Sequence, residues 1–217
     1  MSERAPTLFV VDDDAAARTS LRLLLKSLGL NAIAYDSAAA FLADYDPEQP
    51  GCLLLDIRMP GMSGLDLQQE LNRRGTISPI IFITGHGDVA MAVEAMQHGA
   101  FDFLQKPFRE QELLDRIQKA LARDSAIREQ LRGHDAMRAR LETLTARERE
   151  VLELVAKGGS NKVVGRALGI SQRTVEIHRA RVMEKMNAES VAQLVHMTTA
   201  LGITRLASKD APDPRPR

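Results

Sequence analysis

Short apolar runs alternate with amphipathic stretches in the first half of the chain, and this alternation predicts the fold. Several of these runs contain no polar residue, which is typical of strands buried on both faces of a sheet. The predicted strands are Thr7–Val11, Asn31–Tyr35, Cys52–Leu55, Ile80–Ile83 and Phe101–Leu104. Between the first two, helical spacing places Leu21 and Leu25 on one stripe before Gly29. Repeated strand–helix units predict an α/β domain with a five-stranded parallel sheet and helices on both faces.

Beyond the fifth predicted strand the pattern is helical throughout. A charged, alanine-rich stretch runs from Arg109 to about Arg132, and we expect Gly133 to end its helix. Thr145–Glu148 has the sequence of a capping box and opens another helix. The remaining predicted helices are Asn161–Leu168, Gln172–Met186 and Ser190–Leu201. The second half is therefore predicted to be an all-α, four-helix domain.

These patterns predict two domains and a tail. Residues 1–123 form the α/β domain, residues 124–140 a helical linker and residues 141–206 the helical domain. Residues 207–217 contain three prolines in a polar setting, and we expect them to be a disordered tail.

Charge is distributed unevenly between the two halves, although Lys+Arg and Asp+Glu both total 29. Residues 1–124 contain 12 basic and 18 acidic side chains, whereas residues 125–217 contain 17 basic and 11 acidic ones. Such asymmetry indicates that the second half meets a polyanion, with chance or mutual attraction of the domains as alternatives. The single cysteine, Cys52, excludes a disulfide framework and a cysteine-based zinc site. No apolar run has membrane-spanning length, so we expect a soluble, cytoplasmic protein.

Carboxylates follow two of the predicted strands. Asp12–Asp14 come after the first strand and Asp56 after the third, while Thr84 and Lys106 follow the fourth and fifth. Ligands of open parallel sheets bind at the carboxyl ends of the strands, where these side chains would meet. Clustered carboxylates fit a hard cation such as Mg²⁺, and a nearby lysine and hydroxyl suit a phosphoryl group. The chemistry indicated is phosphoryl transfer onto Asp56 as the nucleophile, whereas Asp14 is predicted to be a helix N-cap.

Four motifs in this half resemble, in order and spacing, the receiver domain of two-component response regulators. They are Val10–Asp13, Leu55–Gly64, Thr84–Gly87 and Phe103–Phe108. The resemblance covers about residues 5–123 and implies the flavodoxin-like fold. It also implies that the chain is not an enzyme in its own right.

The resemblance assigns roles to individual residues. It implies that Asp56 is the phosphoacceptor and that Asp13, Asp56 and the backbone carbonyl of Arg58 hold Mg²⁺, with Asp12 acting largely through water. Lys106 would contact the phosphoryl group. By the same resemblance, Thr84 and Phe103 form a hydroxyl–aromatic switch pair.

Two enzyme motifs are matched only in part. Asp12–Ala16 resembles the Asp-x-Asp motif of haloacid-dehalogenase phosphatases, but Ala16 stands where that motif has Thr or Val. Gly85–Ala90 partly matches a dinucleotide-binding fingerprint, although it follows the fourth strand and not the first.

The helical half has the pattern of a helix-turn-helix DNA-binding domain, with Gln172–Met186 as the helix that enters the major groove. Its inward face is predicted to hold Val175, His178, Val182 and Met186. We expect base readout from Glu176, Ile177 and Ala180, and positioning on phosphate from residues near helix N-termini. The predicted DNA-binding residues are Asn161, Lys162, Ser171, Arg173, Thr174, Glu176, Ile177, Arg179, Ala180, Arg181 and Lys185.

Three segments of this half are similar to the LuxR-type domain of NarL/FixJ regulators: Leu144–Leu152, Asn161–Lys162 and Ser171–His178. The segment Thr84–Met96 is similar to the FixJ branch in particular. One departure is Gly165, where the family usually has alanine, and glycine in a helix costs up to about 1 kcal/mol relative to alanine.

Together the resemblances imply a bacterial, phosphorylation-activated transcriptional regulator. The implied partners are a sensor histidine kinase, promoter DNA, RNA polymerase and a second copy of the chain. We expect the dimer contact on the face from Asp88 to Leu104, with Met91, Ala92 and Ala95 exposed there. The alternative is a phosphorelay or partner-binding module whose helical domain binds protein instead of DNA.

Overall fold

A computed structural model describes residues 4–85 and 89–203, and the chain divides between Glu129 and Gln130 into two compact units. The strands are β1 (Thr7–Val11), β2 (Asn31–Tyr35), β3 (Gly51–Asp56), β4 (Ile80–Thr84) and β5 (Asp102–Gln105). The helices of the first unit are α1 (Ala15–Ser27), α2 (Ala38–Asp44), α3 (Gly64–Arg73) and α4 (Val89–Gln97). The remaining helices are α5 (Glu110–Glu142), α6 (Ala146–Ala156), α7 (Asn161–Leu168), α8 (Gln172–Met186) and α9 (Val191–Ala200).

The first unit is a five-stranded parallel sheet, as the alternating pattern predicts, and its strand order is β2-β1-β3-β4-β5. Apolar side chains pack on both faces of this sheet. Phe9 and Leu53 belong to one core cluster, and the intervening positions, such as Val10 and Leu54, belong to the other. Period-two alternation therefore accounts for the unbroken apolar runs of β1, β3 and β4, because their successive side chains enter the two cores in turn.

Strands β3 and β4 extend slightly further than their apolar runs. β3 includes Asp56 and β4 includes Thr84 as its last residue. Both side chains are consequently held by the sheet ladder at its carboxyl edge and not by a free loop. This placement sets the geometry of the site described below.

Helix α5 corrects the prediction that Gly133 ends a helix, since it continues unbroken from Glu110 to Glu142. A glycine inside a helix costs about 1 kcal/mol relative to alanine, which tertiary packing readily offsets. Downstream of the glycine, Met137 and Leu141 pack against the core of the helical unit, so the added turns bury apolar surface.

The predicted linker, residues 124–140, lies entirely within this helix. Its first residues are bound to the α/β unit. Asp124 is 1% exposed and accepts the Gly51 N–H at 2.9 Å, and Arg128 donates to its carboxylate at 3.0 Å. The compact α/β unit thus includes residues beyond the predicted boundary at 123.

In the helical unit, the capping box at Thr145 and the helix–turn–helix over residues 161–186 form as predicted. The turn uses Gly169 in the left-handed region at φ 67°, where glycine carries no steric cost. On α8, Val175, Val182 and Met186 are buried in the core and His178 is half-buried, which agrees with the predicted inward face.

Gly165 has a packing role that its helical position does not reveal. A Cβ atom built at Gly165 would lie 2.8 Å from the backbone oxygen of Ile170, closer than such atoms approach. The turn that connects α7 to α8 therefore folds directly against this residue. The absent side chain permits the close approach, and this gain stands against the helix-propensity cost expected from sequence.

None of the helices in the described ranges is both long and apolar enough to cross a membrane. His86–Asp88, within the partial dinucleotide motif, and the predicted disordered tail at 207–217 lie outside the described residues.

Candidate functional site

The carboxyl edge of the sheet forms a cleft of about 330 Å³. It is lined by Asp12, Asp13, Asp14, Asp56, Arg58, Gly85 and Lys106. The loops after β1, β3, β4 and β5 supply these residues or the strand ends beside them. The structure therefore brings together the acidic and basic side chains that the sequence places at separate strand ends.

Three carboxylates converge in this cleft. Asp12, Asp13 and Asp56 each offer an oxygen, and these oxygens all lie within 4.8 Å of one another. Asp12 is 2% exposed, whereas Asp13 is open to solvent. Like charges at this separation repel unless a cation lies among them. An oxygen-only ligand set with one solvent-facing member fits a hard divalent cation that retains water molecules.

Lys106 follows β5 and reaches the carboxylates from a position 94 residues after Asp12 in the sequence. Its Nζ lies 2.8 Å from Asp12 Oδ2 and 3.8 Å from Asp56 Oδ1. The Lys106 backbone N–H donates to the Thr84 carbonyl at 2.7 Å, and a cis peptide bond to Pro107 follows. The Lys106 side chain thus sets one ammonium group beside two carboxylates.

Asp56 has an altered proton affinity. Burial raises the pKa of its carboxyl group to about 6, and the neighbouring Asp12 and Asp13 act in the same direction. The Lys106 ammonium and the Arg58 N–H, which donates to Asp56 Oδ2 at 3.2 Å, oppose this rise in pKa. The carboxylate is still ionised at neutral pH, and it is poorly solvated. Both properties favour its reaction as an oxygen nucleophile.

The loop behind Asp56 depends on Gly64. Its N–H donates to the Ile57 carbonyl at 2.9 Å, and a Cβ atom there would lie 2.1 Å from the Asp56 carbonyl oxygen. The sequence motif Leu55–Gly64 therefore has a steric basis, because only glycine admits this contact. Arg58, whose carbonyl is the predicted metal ligand, lies in the same loop and lines the cleft.

Two residues of the first turn of α1 support the acidic cluster. Asp14 caps the helix by accepting the Ala16 and Ala17 N–H groups, as predicted. Arg18, which the sequence analysis did not identify, donates to the Asp12 carbonyl at 2.7 Å. The sequence signal that could have identified Arg18 is its position one helical turn after the acidic run, because a residue at that spacing lies beside the end of β1.

Thr84 and Phe103, the predicted switch pair, differ in exposure. Thr84 is 2% exposed, whereas Phe103 is 36% exposed and pairs in register with Phe82 of the neighbouring strand. Phe103 lines a surface cleft of about 370 Å³ with Ala92, Val93, Met96 and Gln97. The aromatic ring thus faces outward, beside α4.

The expected exposed residues of α4 were wrong. Ala92 and Ala95 are 2% and 0% exposed and Met91 is partly buried, whereas Val93 and Met96 are 52% and 42% exposed. Glu94 and Gln97 are the only polar residues among the nine of this helix, so periodicity marks its outward face only weakly. The small alanines are placed where the helix approaches the core.

The helical unit presents the predicted residues of α8 in a consistent arrangement. The face of α8 opposite the core, called the reading face below, exposes Arg173, Glu176, Ile177, Ala180 and Arg181. This face carries both donors and acceptors as well as an apolar group.

Several predicted DNA-binding residues already have partners inside the domain. Ser171 caps α8 by accepting the Thr174 N–H at 3.1 Å. Asn161 bonds to Glu176 and Arg179, while Lys162 is exposed at the start of α7.

Lys185 also has partners inside the helical unit. Its Nζ donates to Glu148 Oε2 at 2.7 Å and to the Thr143 carbonyl at 3.2 Å, so the ammonium joins α8 to the start of α6. Glu148 is 3% exposed, and its bonds to the Lys185 ammonium and the Thr145 N–H lower its pKa to about 2. Lys185 thus has a structural contact inside the unit, and its contact with DNA stays a prediction. The pair spans 37 positions, so no local pattern indicates it.

Comparison with known proteins agrees with both units. Residues 8–118 match the response regulator receiver domain, and residues 142–198 match the bacterial regulatory proteins of the luxR family. Nodulation protein W of Bradyrhizobium diazoefficiens is 49% identical over 197 residues, 91% of this chain and 87% of that protein. The transcriptional regulatory protein FixJ of Azorhizobium caulinodans is 46% identical over 203 residues, covering 94% and 96% of the two chains. The solved structure of the response regulator StyR is 46% identical, with a TM-score of 0.83 and coverage of 90% and 98%.

The acidic cleft on a parallel sheet, followed by a helix-turn-helix unit, defines a receiver joined to a DNA-binding domain. The chain belongs to the two-component response regulators that carry a LuxR-type DNA-binding domain. It is a phosphorylation-dependent, DNA-binding transcriptional regulator, and its family implies a histidine kinase and promoter DNA as partners. The comparisons do not support the alternative of a helical domain that binds only protein.

Proposed function

We propose that Asp56 accepts a phosphoryl group from a phosphohistidine of the partner kinase. The observation that carries this assignment is the contact of the Asp56 and Asp12 carboxylates with one ammonium group, Lys106 Nζ. A carboxylate oxygen of Asp56 attacks phosphorus as the phosphorus–nitrogen bond of the donor breaks. Lys106 then exchanges its contact with Asp56 for a contact with an oxygen of the arriving phosphoryl group.

The metal that fits this cleft is Mg²⁺, which Asp13, Asp56 and the Arg58 carbonyl would hold, with Asp12 acting through water. The oxygen ligands and the open cleft beside Asp13 support this choice. When bound, the ion neutralises charge on the phosphoryl oxygens. Asp12, buried and bonded to Lys106, keeps the ammonium group in place.

Phosphorylation is proposed to act through Thr84 and Phe103. The Thr84 hydroxyl turns toward the phosphoryl group, and Phe103 moves inward from its present outward position beside α4. This motion reshapes the surface formed by α4 and β5, where Val93 and Met96 are exposed. We assign the dimer contact to that surface, because burial of these side chains between two copies favours association.

The dimer would place two copies of α8 in successive major grooves of a near-palindromic operator. Glu176, Ile177 and Ala180 read base edges, and the remaining polar residues contact phosphate. The proposed phosphate contacts are Lys162, Ser171, Arg173, Thr174, Arg179 and Arg181. Once bound, the dimer acts on transcription through RNA polymerase.

Selection of bound duplexes from a random library tests this function. The full-length chain is incubated with Mg²⁺, with and without acetyl phosphate as the donor, and the enriched sequences are compared. We expect a near-palindromic site that is enriched chiefly when the donor is present. Equal enrichment in both conditions would contradict the phosphorylation switch, and no enrichment in either would contradict the reading-face assignment.

Light scattering tests the dimer separately. A chain that stays monomeric with beryllofluoride and Mg²⁺, a mimic of the phosphorylated aspartate, would exclude the proposed association. Arg173→Ala should weaken binding to every duplex and lower the dependence of affinity on salt, as loss of one phosphate contact requires.

A further inference from the structure

One amide side chain joins the two helices of the DNA-binding motif. Asn161 begins α7, and its Nδ2 donates to Glu176 Oε1 at 3.3 Å. Its Oδ1 accepts from a guanidinium nitrogen of Arg179 at 2.8 Å. Asn161 is half-buried, whereas Glu176 is exposed on the reading face of α8. The amide thus lies between a carboxylate and a guanidinium of the same helix.

The chemistry of this bridge requires an amide. A carboxylate accepts and a guanidinium only donates, so the central group must offer one donor and one acceptor. Rotating the amide by a half turn would face its oxygen toward Glu176 and its NH₂ group toward Arg179, and both contacts would then be lost. The two partners therefore determine the orientation of the Asn161 side chain.

Glu176 and Arg179 are three positions apart on α8, a spacing at which opposite charges pair directly. A direct pair would engage the carboxylate oxygen that a base must donate to. With Asn161 between them, the guanidinium is held on the amide oxygen, and the carboxylate accepts a long hydrogen bond of 3.3 Å from Asn161 Nδ2. Its remaining acceptor positions are available to an exocyclic amine such as that of cytosine.

We propose that Asn161 is a positioning residue for sequence readout, which acts by orienting the Glu176 carboxylate toward a base and by keeping Arg179 away from it. This replaces the expectation from sequence that Asn161 is a phosphate contact. The inference rests on the proposed function, because it takes Glu176 as a base reader. It adds a specificity determinant on the first helix of the motif, outside the recognition helix.

The test compares full-length variants on the duplex selected above and on duplexes altered at each base pair. The variants are Asn161→Ala, Glu176→Ala, the double mutant and Lys162→Ala, the last being the neighbouring residue assigned to phosphate. Affinities are measured with Mg²⁺ and acetyl phosphate at several salt concentrations.

We expect Asn161→Ala to relax preference at the same base pair as Glu176→Ala, by about tenfold, the loss of one hydrogen-bonded base contact. The double mutant should be no less selective than Glu176→Ala alone, because both changes remove the same contact between Glu176 and the base. Lys162→Ala should instead weaken binding to all duplexes and lower the slope of log affinity against log salt concentration by about one. Asn161→Ala should leave the salt dependence unchanged.

A second variant protects the test against misfolding. Asn161→Asp keeps the size of the side chain and an acceptor for Arg179 but removes the donor to Glu176. Relaxed preference at the Glu176 base pair in this variant, with a native circular dichroism spectrum, supports the proposal. Retained preference would overturn it.

The other outcomes are also decisive. A uniform loss of affinity in Asn161→Ala, matching that of Lys162→Ala, would return Asn161 to the phosphate contacts and overturn the inference. If Glu176→Ala keeps full preference while the wild-type chain still selects a site, the inference fails and DNA binding stands. If the wild-type chain selects no site, the proposed function itself fails.

Discussion

The acidic cleft of the α/β unit and the reading face of the helical unit handle charge in different ways. In the cleft, Lys106 meets Asp12 across 94 positions, and the groups are buried enough to change the pKa of Asp56. On α8, the candidate DNA-binding side chains follow one another along a single helix and are largely exposed. Reaction chemistry uses low solvation and opposed charges, whereas recognition of a polyanion uses charges left open to an external partner.

Asp56→Asn should have the largest effect on the chemistry of the cleft. The change preserves shape but removes the nucleophilic oxygen, so we expect no phosphoryl uptake from acetyl phosphate with Mg²⁺, and normal folding. Uptake is measured by phosphate-affinity electrophoresis. Asp115→Asn is the matched control, because Asp115 is an exposed residue of α5 that does not line the cleft, and asparagine keeps the oxygen that accepts from Gln111. Normal uptake by Asp56→Asn would mean that another residue accepts the phosphoryl group.

Gly64→Ala should damage the same site without touching its chemistry. The added Cβ meets the Asp56 carbonyl oxygen at 2.1 Å, so the loop must move. We expect a loss of stability of about 1–3 kcal/mol, typical of overpacking. Phosphoryl uptake should also slow by at least about tenfold, since misplacement near 1 Å commonly has such an effect. Unaltered uptake kinetics would show that the loop behind Asp56 tolerates displacement.

Glu148→Gln sharpens the comparison, because Glu148 is a buried charge in the unit whose other charges are mostly exposed. Its pKa is lowered to about 2 by the Lys185 ammonium and the Thr145 N–H. A lowered pKa in the folded state means that the stabilisation is present above the ordinary pKa of 4.5 and is lost as pH falls toward 2. At pH 7 the free energy of unfolding of the variant should fall by about 1.5–3 kcal/mol, the contribution of a hydrogen bond to a charged group.

The measurement is urea unfolding at several pH values, followed by methyl NMR signals of Val151 and Val182. The difference between wild type and Glu148→Gln should shrink below pH 4.5. Glu153→Gln, at an exposed position on the same helix, should have no measurable effect. A constant difference across this range would exclude the ionised pair as its source.

The smallest expected effects concern two helical glycines. Gly133→Ala adds a methyl group where nothing lies within 4 Å, so the chain should gain up to about 1 kcal/mol. Gly165→Ala meets the Ile170 oxygen at 2.8 Å, and overpacking of about 1–3 kcal/mol outweighs the gain in propensity. Thermal unfolding of both variants should therefore show shifts of opposite sign. A stabilised Gly165→Ala would indicate that the turn relaxes without cost.

Sequence alone predicted the five strands, the parallel sheet and the strand-end motifs, because these depend on short-range periodicity and on chemistry confined to short segments. It also identified the capping box at Thr145, the helix-turn-helix and the buried side of α8. Resemblance then assigned Asp56 and its neighbours to phosphorylation. Each of these features is expressed within a few consecutive residues.

Only the tertiary structure decided which surface α4 exposes, where α5 ends and what Lys185 binds. In α4 only Glu94 and Gln97 are polar, so packing against the sheet decides which of the apolar residues are buried. Gly133 weakens a helix locally, but packing of Met137 and Leu141, about one and two turns later, keeps it intact. Lys185 and Asn161 acquire their partners from other helices, so their roles depend on how the helices pack. Such pairings arise from the free energy of desolvation in the folded chain, which no local pattern encodes.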